Sequence, residues 1–214
     1  MTEHLHAVRV RGQVGLPLRF EDGFSTQARV FTFTGLSDGR EHVAIALGEH
    51  AVVPVDETHR PPLVRLHSEC LTGDVLGSQR CDCGPQLREA VERIASVGGY
   101  LLYLRQEGRG IGLYNKLDAY ALQDAGLDTY EANLALGFGE DERDYGVAAE
   151  MLFALGVRRV DLLTNNPDKV AQLRAAGVHV DRCLPTGVHL SSANAPYLAA
   201  KAGHGRHWLR VVDP

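Results

Sequence analysis

The sequence predicts an α/β (α+β) chain: a mixed, largely parallel sheet flanked by helices, preceded by an N-terminal β-hairpin region. Three observations carry this. Between about residues 63 and 183, short apolar runs alternate with stretches of helical period. Tyr100-Leu101-Leu102-Tyr103-Leu104 is apolar without a break, as suits a strand covered on both faces. Ahead of residue 63, two segments rich in β-branched and aromatic residues flank the turn Ser37-Asp38-Gly39.

Taken in order, residues 1 to about 25 show no strong period and are punctuated by Gly12, Gly15, Pro17 and Gly23, so they read as irregular structure or short edge strands. Residues 28–34 and 42–47 form the hairpin. Pro54, Pro61 and Pro62 break the next segment, and Leu63 to His67 is a strand leading to Cys70. From Pro85 the period becomes helical, with Leu87, Val91, Ile94 and Ala95 on one stripe and Gly98-Gly99 at the end. The strand at 100–104 runs into Arg105-Gln106-Glu107-Gly108-Arg109-Gly110-Ile111-Gly112, a loop placed where open α/β sheets bind ligands. A helix follows from Leu113 to Gln123, and Asp128 to Glu131 has the offset of a capping box. Residues 137–144 are an acidic loop carrying Arg143. Next come a helix through Val147, Met151, Leu152 and Leu155, a strand at 160–163, a turn at Asn165-Asn166-Pro167, a helix at 168–176 and a last strand at 178–180. Residues 1–185 read as a single catalytic domain. Residues 186–214, with Tyr197 and Trp208 as aromatic anchors, read as a C-terminal tail able to pack on a partner subunit.

Composition narrows the function classes. The 214 residues carry 27 acidic and 22 basic side chains, a net charge of −5, which argues against nucleic acid or an anionic membrane as the main partner. No apolar run approaches a membrane span, and the first residues lack the pattern of a signal peptide. With clustered thiols, a cytoplasmic protein is expected.

Chemistry concentrates at the cysteines. Cys70, Cys81 and Cys83 stand in a C-x10-C-x-C spacing, and Cys183 lies alone, as a small apolar side chain near the end of a strand. Such clustering points to zinc. Three protein ligands suit a catalytic site with water in the fourth position, and a fourth from His67, Asp82 or a distant histidine would make it structural. Spacing alone leaves both open, along with reactive thiols. A zinc site of the first kind activates water for attack on an electrophilic carbon, as in nucleobase deaminases. Three thiolates weaken the metal as a Lewis acid, so a nearby proton acceptor would help. Arg65, Arg105, Arg109, Arg143 and Lys169 lie at strand ends or in the loops after them, where they can converge on a phosphorylated ligand. Together these features suggest hydrolysis of a small nucleotide.

Several blocks carry a closer likeness. Arg65-Leu66-His67-Ser68-Glu69-Cys70-Leu71-Thr72-Gly73-Asp74, Arg80-Cys81-Asp82-Cys83-Gly84, residues 105–113, Ala119-Tyr120-Ala121-Leu122-Gln123-Asp124, residues 136–138 with 141–145, and Leu163-Thr164-Asn165-Asn166-Pro167 closely resemble GTP cyclohydrolase II. The resemblance implies hydrolysis of GTP at C8 with loss of formate and pyrophosphate, the step that starts riboflavin synthesis. It implies one Zn2+ per subunit on Cys70, Cys81 and Cys83 plus water, and Mg2+ at the triphosphate. It matches Arg65, Leu66, His67, Ser68, Glu69, Gln86, Glu107, Gly108, Arg109, Thr129, Thr164 and Lys169 to GTP-binding positions. Asp141 would be the proton acceptor, Arg143 the group at the α-phosphate and Tyr120 the active-site tyrosine. A homodimer is also implied. Nothing N-terminal resembles the dihydroxybutanone phosphate synthase sometimes fused to this family. Asp118, Gln79 and Pro85 depart from the family's usual residues, which leaves open a paralogue that stops at the formamidopyrimidine or takes another purine nucleotide.

Overall fold

The computed structural model describes residues 7–52, 60–139, 141–191 and 193–195. Its frame is a seven-stranded sheet in the order β1-β2-β3-β5-β4-β6-β7. The strands are β1 (Arg9–Arg19), β2 (Ser25–Thr34), β3 (Val43–Leu47), β4 (Leu63–Ser68), β5 (Gly99–Leu104), β6 (Arg159–Leu163) and β7 (His179–Leu184). From β1 to β5 neighbours are antiparallel, and from β5 through β4 and β6 to β7 they are parallel. The helices are α1 (Leu71–Asp74), α2 (Cys83–Val97), α3 (Leu113–Asp124), α4 (Thr129–Ala135), α5 (Gly146–Ala154) and α6 (Pro167–Ala175).

The parallel half is covered on both faces, which explains its unbroken apolar runs. Val64, Leu66, Leu102, Leu104 and Leu162 point into a core with α5 and α6. Their strand neighbours Leu63, Leu101 and Leu163 point the other way, onto Ala90, Val91 and Ile94 of α2. Helix boundaries follow local chemistry. Asp128 caps α4 in a full capping box with Glu131, and Asn166 caps α6, with Pro167 in its first turn.

One expectation is corrected. The N-terminal segment is neither irregular nor short: β1 runs for 11 residues along β2, with a register shift between Val10 and Gly12. Its residues are exposed or half-buried throughout, and the alternation of Val10, Val14, Leu16 and Leu18, a strand's period of two, is masked by Gly12, Gly15 and Pro17. The strand is specified by pairing to β2. Pro17 is tolerated because β1 is the sheet edge. Of the tail, the described part begins by crossing Glu89 of α2, whose carboxylate accepts from the Gly187 amide at 2.9 Å and pairs with His189 at 3.1 Å. Tyr197 and Trp208 lie outside the described residues.

The strands β4 and β5 are held close enough to exclude any side chain at residue 99. A Cβ on Gly99, whose φ is +152°, would lie 2.0 Å from the Leu63 carbonyl oxygen. Gly99→Ala is expected to destabilise the protein by about 3 kcal/mol or more, read as a lower urea midpoint. An unchanged midpoint would show that the β4–β5 spacing is soft.

Candidate active site

The parallel strands β4 and β5 end side by side, and each delivers a loop to the same cleft. After β4 the chain turns through Cys70 into α1, which brings Cys70 back beside Cys81 and Cys83 at the start of α2. Cys70 and Cys81 are buried, their Sγ atoms 3.7 Å apart. All three Sγ atoms lie within 4.8 Å of one another. A tetrahedral zinc with Zn–S of about 2.3 Å places its sulfurs about 3.8 Å apart, so the triangle fits such an ion. Among the described residues no histidine or carboxylate joins it. His67 is held by Asp74 at 3.0 Å, and buried Asp82 accepts from the Gln86 side chain.

Three thiols packed this closely do not ionise together. Hydrogen bonds from Cys81 and Cys83, joined by Lys116, hold the Cys70 thiol far below its ordinary value. The hydrogen bond with Cys70 in turn pushes Cys81 up to about 11, and Cys70 with Cys81 pushes Cys83 well above the ordinary range. A divalent cation in the triangle lets all three lose their protons near neutral pH.

The surrounding shell is built to keep this geometry. Asp74 accepts from the Cys70 amide at 3.0 Å, from the Tyr103 hydroxyl at 2.8 Å and from His67. Glu107 accepts from the Leu71 amide at 2.7 Å and from Lys116 Nζ at 2.7 Å. Lys116 Nζ also donates to Cys70 Sγ at 3.1 Å. Burial alone would push Lys116 down, but Glu107 and the Cys70 thiolate outweigh it and hold the ammonium up.

The cleft beside the sulfurs is lined by the cysteines and by Ser68, Glu69, Glu107, Gly108, Arg109, Tyr120, Thr129 and Arg143. Tyr120 projects from α3, its hydroxyl 3.5 Å from Thr72 Oγ1 and its ring under the Arg80 guanidinium at 4.5 Å. Burial pushes its phenol up, so it keeps its proton at neutral pH. Arg109 stacks on Tyr130 at 4.2 Å and has φ +61°, a left-handed conformation that a non-glycine residue adopts only under constraint. Arg143 forms a two-pronged pair with Asp141, one prong being Nε to Oδ1 at 2.7 Å. Partial loss of water pushes the Asp141 carboxyl up, but Arg143 overrides this and holds it below the usual carboxylate range.

The remaining positions singled out from sequence lie outside the cleft lining. Arg65 is buried, donates to the Leu163 carbonyl at 3.1 Å and to Gln86 Oε1 at 2.8 Å, and keeps a buried Nε without a partner among the described residues. Lys169 donates to the Leu66 carbonyl at 2.8 Å, and Thr164 receives the Asn166 amide at 3.0 Å. Asp118, Gln79 and Pro85 are exposed, and none lines the cleft. Two cleft residues escaped the sequence reading. Lys116 sits four residues before Tyr120, a spacing that puts both on one helix face and could have revealed it. Gln106 donates through Nε2 to the Asp144 carbonyl, which turns the other way its buried Oε1, without a partner among the described residues. The sequence places it in the loop after the 100–104 strand but gives it no role of its own.

Residues 13–185 match the family model described as GTP cyclohydrolase II. The chain is 52% identical over 184 residues to the GTP cyclohydrolase-2 of Vibrio cholerae, covering 86% of this chain and 90% of that protein. It is 51% identical over 183 residues to the GTP cyclohydrolase-2 of Psychromonas ingrahamii, covering 86% and 89%. Against the Riboflavin biosynthesis protein RibBA of Bacillus subtilis it is 53% identical over 182 residues, which is 85% of this chain and 44% of that longer protein.

Gly73 is the residue on which the sulfur triangle presses hardest. A Cβ there would lie 2.8 Å from Cys81 Sγ and 3.1 Å from Cys70 Sγ. Gly73→Ala is expected to weaken metal binding by about tenfold or more, measured as metal content after dialysis against a weak chelator. Full occupancy with wild-type affinity would show that the triangle can spread.

Proposed function

This chain belongs to the GTP cyclohydrolase II family, and we propose from that premise how its own residues carry the reaction. The enzyme hydrolyses GTP at C8 of the guanine ring. One water opens the imidazole to a formamide, a second releases formate, and a third cleaves the phosphoanhydride to give pyrophosphate. The product is 2,5-diamino-6-(5-phosphoribosylamino)pyrimidin-4-one, the first intermediate of riboflavin biosynthesis. The observation that best supports this reading is the three-sulfur triangle, joined by no other protein ligand among the described residues, opening on a cleft that also holds Tyr120, Arg80, Arg109 and Arg143.

Cys70, Cys81 and Cys83 would hold one zinc ion, which would supply a Lewis acid and lower the pKa of a bound water towards neutrality. Tyr120, kept protonated by its surroundings, donates its hydroxyl proton to nitrogen as the ring opens and, after regaining a proton from solvent, again as the formyl group leaves. Asp141 accepts the proton lost by the attacking water. Arg143, a guanidinium that stays charged at any working pH, stabilises charge at the α-phosphate electrostatically rather than attacking it. Arg109 and Mg2+ balance the rest of the triphosphate. Ser68, Glu69, Glu107, Gly108 and Thr129 line the place where GTP binds. Arg65, Leu66, His67, Gln86, Thr164 and Lys169 serve the nucleotide from behind the wall, through the strands and loops they brace. Residues 1–185 are the catalytic unit, the chain from 186 on crosses α2 at Glu89, and the protein acts as a cytoplasmic homodimer.

The decisive experiment is product analysis of zinc-loaded protein with GTP, Mg2+ and a thiol reductant, by mass spectrometry and a formate assay. Formate and pyrophosphate are expected in equal amounts with the diaminopyrimidine. A formyl-retaining product would assign the chain to a ring-opening paralogue, and no turnover by folded, zinc-bound protein would overturn the proposal. Tyr120→Phe is expected to lower kcat by about 10²–10⁴ with zinc content unchanged; wild-type kcat would remove Tyr120 from the proton path.

The pH profile tests Asp141. Because Arg143 holds its folded-state pKa down, the carboxylate persists as pH falls below its ordinary range. Removing that cation in Arg143→Gln raises the pKa and moves the acid limb of kcat/KM to higher pH. A limb that stays in place in the weakened variant would show that another group is the base.

A further inference from the structure

Lys116 has no place in the assignments above, yet its ammonium joins the sulfur triangle to the loop after β5. We propose that Lys116 is a positioning residue for the metal centre: its N–H bond to Cys70 Sγ withdraws charge from that ligand. This inference rests on the reading of Cys70, Cys81 and Cys83 as metal ligands.

The argument is one of geometry and charge. Lys116 is buried, with Nζ 3.1 Å from Cys70 Sγ and 2.7 Å from Glu107 Oε1. The carboxylate that grips it cannot swing away, because it also accepts the amides of Leu71 at 2.7 Å and Gly108 at 3.0 Å. Leu71 follows Cys70 directly, so Glu107 fixes both the backbone of the ligand and the cation on its sulfur. The carboxylate of Glu107 balances the ammonium, so Lys116 acts through where its N–H points, at the Cys70 sulfur, and not through the net charge of the cleft. A charge-assisted hydrogen bond to sulfur also makes the thiolate a poorer donor. The metal is left a stronger Lewis acid than three free thiolates would permit.

The test uses the full chain loaded with cobalt(II) in place of zinc, compared between wild type, Lys116→Met and Glu107→Gln. In wild type the metal must first bind with sulfur-to-metal charge-transfer bands that Cys81→Ser perturbs; failure there would sink the metal reading itself. In Lys116→Met, loss of the N–H bond raises the thiolate donor level. The charge-transfer band is then expected at lower energy. Alkylation of Cys70 in the zinc-loaded protein, followed by mass spectrometry, is expected to speed up. Glu107→Gln loosens the grip on the ammonium and is expected to move the band part of the way towards that of Lys116→Met. If Lys116 merely neutralises Glu107, the Lys116→Met band and alkylation rate both match wild type, and the inference is overturned. Should Lys116→Met not fold, Lys116→Gln carries the same comparison: a shift to lower energy supports the inference, and a wild-type band overturns it.

Discussion

Negative charge packed into a small, dry volume is the constraint on which the site depends. Three sulfurs within 4.8 Å of one another cannot all be anionic unless positive charge is supplied. Much of the surrounding architecture answers that need. Gly73 gives up its side chain so that the sulfurs can approach, Asp74 pins the Cys70 backbone, and Lys116 brings a cation against Cys70. Each would be an odd choice in an ordinary core, where buried charge is avoided. Around a metal they form one arrangement.

The sheet is what makes this arrangement possible. Cys70 and Glu107 lie 37 residues apart in sequence but leave adjacent parallel strands at the same end. The close β4–β5 contact therefore converts two distant loops into two walls of a cleft. Helix α3 closes a third side, offering Lys116, Ala119, Tyr120 and Gln123 from one face. Arg65, Gln86 and Asp82 run as a buried hydrogen-bonded chain behind the cysteines, tying the start of α2 to β4 and to the carbonyl end of β6. Stability and function share these residues, so a fault in the wall reaches the chemistry.

How much of this the sequence displays depends on whether a feature is local. The cysteine cluster, the apolar strands and the α4 capping box depend on spacing within a dozen residues, and they are readable. The extent of β1 is not: its alternation at Val10, Val14, Leu16 and Leu18 is broken up by glycines and a proline and buries no face. Arg65 and Lys169 look from sequence like loop or strand-end cations reaching for phosphate. They lie buried, because a guanidinium and an ammonium can also be satisfied by the carbonyls of Leu163 and Leu66. The choice between those partners is made by tertiary packing. Gln106 is hidden for the same reason, since only the Asp144 carbonyl determines which way its amide faces.

The closeness of the thiols has a further consequence, for redox chemistry. A chelator that strips the metal leaves Cys70 as an ionised thiol, held so by its neighbours, with Cys81 Sγ only 3.7 Å away. A thiolate beside a second thiol is the arrangement that oxidants attack first. Chelator and air together thus turn reversible metal loss into covalent damage. The ion shields the sulfurs as well as serving the reaction, and a reductant in the storage buffer protects the same three atoms by another route.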